Sequence, residues 1–293
     1  LGGPSGSGKS FTALRLASAL LPQAGRVAVL DSEHGSAELY AGARNPDGGV
    51  FDFDVIRLDE LHGSFDPRNY VAALGAAARG AYPVVVIDSL SHAWSGEGGV
   101  LEQVDRAADR MKGNKFAGWK VGTPMQNRLI DSILSYPGHV LVTMRSKMEY
   151  VQEKEGDRVV IRKIGLAPIQ RDGIEYEFSL FAELEQGGER CIVTKTRCSD
   201  FVDAVESKPG ASFALRLLAW FEQAPSVQGR VEDLGVEWDE LLVWCREKEQ
   251  PHPDALPPQR QADLLIWLDS EECPLLSARR RNASRRSTDG ETT

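Results

Sequence analysis

Residues Gly3-Pro4-Ser5-Gly6-Ser7-Gly8-Lys9-Ser10 fit the pattern G-x-x-x-x-G-K-[ST] at every fixed position. This P-loop constrains the fold more than anything else in the chain. It must follow a buried strand and open directly into a helix. Its glycines let consecutive backbone N–H groups curl around a polyphosphate, and the helix turns its positive end on the same anion. Lys9 would reach the β- and γ-phosphates, and the Ser10 hydroxyl would ligate Mg²⁺. Residues 3–10 together with Phe11 are therefore the expected nucleotide contacts. A Gly/Ser-rich linker would not be followed at once by an amphipathic helix, yet Phe11, Leu14, Ala17 and Leu21 share one face before Pro22. Only Leu1 and Gly2 precede the loop, so the sequence reads as a fragment from which the first strand of the sheet is missing.

Behind the loop, short apolar runs alternate with helical patterns, the signature of βαβ units and a mostly parallel sheet with helices on both faces. Strands are expected at Val27–Leu30, Val55–Leu58, Val84–Ile87 and Val140–Met144. The third is a continuous apolar run, as a strand covered on both faces should be. Helices are expected at Pro67–Arg79, at Val100–Met111 and from Pro124 to Tyr136. After Lys147 the pattern changes to hairpins, with turn signals at Glu155-Gly156-Asp157 and Gln186-Gly187-Gly188. Tyr176–Leu184 and Arg190–Thr196 would add antiparallel strands, and a helix follows from Ser212 to Phe221. The α/β core thus spans residues 1–222. A small helical unit at 225–275 places Trp238, Leu241, Leu242 and Cys245 on one face and Leu264, Leu265 and Leu268 on another. The arginine-rich tail at 277–293 has no apolar period and is expected to be disordered.

Composition excludes several classes. At 42% hydrophobic and 26% charged residues, the chain can bury a sizeable core. No apolar run approaches the roughly 18 residues of a membrane span, and no signal peptide is visible, so a reducing cytoplasm is the expected setting. The cysteines (191, 198, 245 and 273) form no C-x-x-C pair, which argues against a metal knot or disulfide framework. A net charge of −9 argues against indiscriminate coating of nucleic acid but not against a local basic groove.

Two strand ends supply further chemistry. Val84-Val85-Val86-Ile87-Asp88 is an apolar strand ending in an acid, the Walker B pattern, and Asp88 would hold Mg²⁺ at the carboxyl end of the sheet. The second strand ends Asp31-Ser32-Glu33-His34 and is followed by Tyr40-Ala41. This combination resembles the RecA-type recombination ATPases. The resemblance implies that Glu33 polarises the water attacking the γ-phosphate, a role that requires a carboxylate in line with the breaking bond. The strand His139–Lys147 is similar to the family strand that carries a γ-phosphate sensor and then R-x-K before a DNA loop. Thr143 stands at the sensor position, where the family usually has Gln, and keeps one hydroxyl donor. Lys195-Thr196-Arg197 matches the family's K-x-[KR], whose cations reach a neighbouring subunit's γ-phosphate and so imply a filament or ring. Residues 86–94, 98–102, Trp119, Pro124 and 167–178 further resemble the short RecA-like ATPases common in phage genomes. The resemblance covers residues 1 to about 222.

DNA has two candidate places. Residues 110–120 read as a flexible stretch in which Arg110, Lys112, Lys115 and Lys120 interleave with Phe116 and Trp119, a mixture suited to single strands. Residues 145–171, with Arg145, Lys147, Lys154, Arg158, Arg162, Lys163 and Arg171, occupy the position of the family's second DNA loop. The resulting expectation is a Mg²⁺-dependent ATPase coupled to single-stranded DNA in phage-type recombination, in a bacterial host cytoplasm if phage-encoded. It would act as a homo-oligomer, with a single-strand-binding protein as a possible partner and no membrane. The alternatives are a nucleotide-gated DNA loader or adaptor with negligible turnover and, less favoured, a P-loop small-molecule kinase.

Overall fold

The computed structural model describes residues 1–22, 25–60, 65–155, 158–223 and 237–253, and singly 256, 264, 267, 268, 273 and 275; the side chains of 148–165 and 222–223 fall outside this description. The expected disordered tail at 277–293, the Gly156-Asp157 turn and Leu265 also lie outside it. The chain divides into two compact units, Leu1–Leu218 and Ala219–Thr293.

In the first unit, the strands β1 (Gly2–Gly3), β2 (Val27–Asp31), β3 (Phe53–Arg57), β4 (Val84–Asp88) and β5 (His139–Val142) come first in the chain. Strands β2 to β5 form a parallel ladder in the order β3-β2-β4-β5. A second ladder adds β6 (Met144–Glu155), β7 (Arg158–Pro168), β8 (Leu180–Leu184), β9 (Arg190–Thr196) and β10 (Val205–Ser207), in the order β10-β9-β8-β1-β6-β7. Thr143 joins the two: Val142 still pairs with β4, whereas Met144 already pairs with Gly2 of β1. The strand position expected to be empty is filled by Leu1–Gly3. Gly2 pairs in parallel with Met144 and Glu183, and Leu1 bonds the backbone of Val142 (2.6 Å) and Met144 (2.8 Å).

Strands β2 and β4 are buried along their whole length, as continuous apolar runs covered on both faces should be. On one face, Ala28, Leu30, Val85 and Ile87 pack against Tyr70, Ala73, Leu74 and Ala77 of α2 (Pro67–Arg79) and Leu129, Ile130 and Ile133 of a later helix. Alternation turns Val84 and Val86 to the other face, where α1 (Lys9–Leu20) contacts β4 and β5. Asp66 caps α2, accepting from the Arg68 N–H at 2.8 Å, and Pro67 opens it.

The remaining helices of this unit are α3 (Ser91–Ser95), α4 (Val100–Arg110), α5 (Lys115–Leu134) and α6 (Ala211–Gln223), the last running past the unit boundary. Two expectations are corrected here. Helix α5 begins at Lys115 rather than Pro124 and keeps that proline in its interior. The stretch 110–120 is therefore not a loop: α4 ends at Arg110, and Asn114 caps α5 by accepting from the Ala117 N–H at 3.1 Å. Likewise, residues 174–177 of the expected strand Tyr176–Leu184 lie in a 3₁₀ turn, and pairing begins at Leu180. In the second unit, α7 (Trp238–Glu247) buries Leu241 and Cys245 with Leu268 and Cys273, bordered by Trp238, Trp244, Leu264, Trp267 and Leu275. The four cysteines are buried free thiols. Among the described residues, no helix is long and apolar enough to cross a membrane.

Candidate nucleotide site

The site lies where parallel strands end together. Register pairs Asp31 with Asp88 across β2 and β4, and Gly3 with Arg145 across β1 and β6. Side chains just beyond these positions therefore converge at the carboxyl edge of the sheet.

Gly6 and Gly8 hold φ of 76° and 77°, a region that L side chains avoid. A Cβ at either would meet nothing within 4 Å, so the loop's outer face is an open concavity ahead of the α1 N-terminus. Lys9, the first residue of α1, arches back so that its Nζ donates to the Pro4 carbonyl at 2.7 Å. Burial lowers its pKa, Asp88 and Glu33 oppose that shift, and Arg145 adds to it. Ser10 sits half-buried in the first turn beside it. Phe11 packs against Tyr40 and Phe51, with both pairs of ring centroids 5.6 Å apart.

Asp88 is buried, and its two oxygens differ. Oδ1 accepts from the Thr143 hydroxyl, whereas Oδ2 is buried with no hydrogen-bond partner. An orphaned carboxylate oxygen at the strand end beside the P-loop fits one ligand of a Mg²⁺ ion that takes its other ligands from Ser10, phosphate and water. Among the described residues, no cluster of three or more His, Cys, Asp or Glu could hold a metal by itself, as expected for such an ion. Thr143, fully buried, spends its only proton on Asp88, and its Oγ1 also lies 3.5 Å from the Ile87 carbonyl. In this state it positions the acid.

Glu33 follows β2 on a turn stapled by Asp31, whose carboxylate accepts from the Glu33 and Ala37 N–H groups. Burial raises the Asp31 pKa, and these bonds oppose the rise. Glu33 Oε1 accepts from Ser89 Oγ (2.9 Å) and from Arg145 Nε (3.0 Å), and Oε2 accepts from Arg145 Nη2. Burial would raise its pKa, but Arg145, His92 and Ser89 together hold it below the ordinary glutamate value. Behind Glu33, the Ser32 hydroxyl receives the Ser89 N–H (2.8 Å) and lies 2.9 Å from His92 Nδ1. His92 stacks on Phe65 at 4.8 Å. His34, at φ 56°, contacts Asp59 at 3.1 Å.

Lys195 donates to the Phe178 carbonyl of its own chain, and burial lowers its pKa. Arg197 is exposed just past β9. Lys9, Ser10, Glu33, Thr143 and Asp88 thus gather at one edge, and Lys195 and Arg197 stand on a different strand. The sequence reading missed the roles of Ser89 and Arg145 toward Glu33. Ser89 directly follows Asp88, and Arg145 stands two residues after Thr143, so strand-end position was the available signal.

Comparison with curated proteins returns no match. A family model described as an AAA domain matches residues 1–202, the stretch that contains every residue of this site. With the loop, its helix and the strand-end acid in the arrangement such domains require, the chain belongs to the AAA domain family of P-loop NTPases.

Proposed function

We propose that this protein is a RecA-like, Mg²⁺-dependent ATPase whose turnover is coupled to single-stranded DNA in phage-type homologous recombination, working as an assembly of several copies. The observation that carries the hydrolytic part is the meeting of Lys9, the unpartnered Asp88 Oδ2 and Glu33 at one sheet edge. Glu33 takes a proton from water as the water oxygen bonds the γ-phosphorus and the β–γ bridging bond breaks, leaving ADP and phosphate. Lys9 balances the negative charge on the phosphate oxygens. Held by Ser10 and Asp88, Mg²⁺ would neutralise the phosphates further.

The DNA part rests on the resemblance and on surface chemistry. Lys112, Lys115 and Lys120 are exposed around the α4–α5 turn, and Phe116 there is 81% exposed, a base-stacking surface beside phosphate-binding cations. A cavity of about 530 Å³ beside it is lined by Arg68, Arg106 and Arg110, although Asp66 and Glu102 pair with the first two. Completion of the site in trans rests on the exposure of Arg197 and on K-x-R; Lys195 would have to leave the Phe178 carbonyl.

ATP hydrolysis measured with and without single-stranded DNA tests this reading. Glu33→Gln is expected to leave nucleotide affinity nearly unchanged and to lower turnover by about a hundred-fold or more. DNA stimulation should weaken steeply with added salt. Turnover indifferent to DNA would remove the recombination reading. A second reading, a nucleotide-gated loader with negligible turnover, draws on the engagement of both Glu33 oxygens by Arg145. It predicts ATP binding without hydrolysis in either condition.

A further inference from the structure

The side chain that grips Glu33 belongs to a different strand and opens the long β6–β7 hairpin. Arg145 bonds both carboxylate oxygens, through Nε at 3.0 Å and through Nη2, while Ser89 takes a further lone pair of Oε1. A carboxylate so engaged has little acceptor capacity left for a water and is a weaker base. Its depressed pKa is in keeping with that geometry. The backbone of Arg145 is fixed on three sides. Its N–H donates to Ser91 Oγ (2.9 Å), its carbonyl accepts from the Ile169 N–H (2.7 Å), and it pairs with Gly3 of the P-loop strand. Its guanidinium, by contrast, is at the surface, with the side chain 46% exposed. The ion pair can therefore open by side-chain rotation alone.

We infer that the Arg145–Glu33 ion pair is a latch that holds the water-activating carboxylate in a resting state and yields when a phosphate oxyanion competes for the guanidinium. Guanidinium binds phosphate in the same bidentate manner as carboxylate, so the exchange costs little. The competing phosphate comes either from a nucleic-acid strand lying along the hairpin or from the nucleotide itself. This inference rests on the hydrolytic role proposed for Glu33.

The test is steady-state ATP turnover of the full chain for wild type, Arg145→Ala, Arg145→Lys and Glu33→Gln, each with and without single-stranded DNA. ATP binding and thermal melting serve as folding controls. Without DNA, Arg145→Ala should raise kcat by roughly five-fold, the scale set by removing one half-exposed ion pair, with little change in KM. Arg145→Lys, which keeps the charge but loses the two-pronged grip, should fall between the two. The acid limb of the pH–rate profile should also move to higher pH in Arg145→Ala as Glu33 loses its cation. Lys9 and His92 still face the carboxylate as partial or full cations, and Asp88 faces it as a like charge. If DNA stimulates wild type but adds nothing to Arg145→Ala, the releasing phosphate is that of the nucleic acid. If DNA still stimulates the variant, the latch stands and the nucleotide releases it. Turnover that is unchanged or lower in folded, ATP-binding Arg145→Ala, yet abolished by Glu33→Gln, overturns the latch alone. Turnover that survives Glu33→Gln removes the reading beneath it.

Discussion

Thr143 has one hydroxyl proton and gives it to Asp88, both groups being shut away from solvent. That bond leaves Oδ1 occupied and Oδ2 open, so a residue expected to sense phosphate instead orients the strand-end acid. Thr143→Val keeps the shape and removes the donor, leaving a buried carboxylate with both oxygens unpartnered. The expected cost is about 1–3 kcal/mol of stability, read from urea unfolding, together with a raised Mg²⁺ requirement for nucleotide binding. Glu33 and Asp88 were legible because each ends a conspicuous apolar strand. The hold of Arg145 on Glu33 was not, since 112 residues separate the partners and only strand register brings them together.

The α4–α5 pair shows the same limit one level up. Pro124 favours a helix start at its own position, because its missing N–H is an orphan there anyway. Tertiary contact overrides that preference. Gly118 and Gly122 let α5 lie directly on α4: a Cβ on Gly118 would come within 2.4 Å of the Val104 carbonyl, and one on Gly122 within 2.3 Å of a Val104 methyl. The helix is thereby held across the proline for two more turns and absorbs the stretch that reads as a flexible loop. Gly122→Val should force the pair apart and cost roughly 1–3 kcal/mol, measured as a lowered denaturation midpoint with an unchanged slope. Other elements were fully legible. Helix α2 spans the expected Pro67–Arg79, fixed by the Asp66 cap and its apolar period, and β9 spans the expected Arg190–Thr196.

For the molecule as a whole, pH reports on burial. His92 and His139 both lie below the ordinary 6.5, and desolvation is the main cause for each. As pH falls through 6.5, the unfolded chain takes up protons that the folded chain refuses. Their contribution to stability is therefore held above 6.5 and lost as pH drops from there toward the depressed folded values. The melting temperature should fall between about pH 7 and about pH 5.5, and His139→Gln should flatten part of that slope. An equally steep slope in the variant would assign the effect to other groups. Sheet continuity is also a property of this scale: the two ladders meet only at Thr143, and Leu1–Gly3 fit between β6 and β8.

By itself the sequence determined the phosphate loop, the α/β alternation and the acids at two strand ends. Each of these depends on neighbours within a few residues, where glycine freedom, helical period and apolar runs leave local marks. Tertiary structure alone decided that a proline would sit inside a helix, that Thr143 would serve Asp88, and that an arginine opening a hairpin would close on Glu33. Those outcomes depend on which strands lie side by side and how closely two helices approach, distances set by packing between segments far apart in the chain.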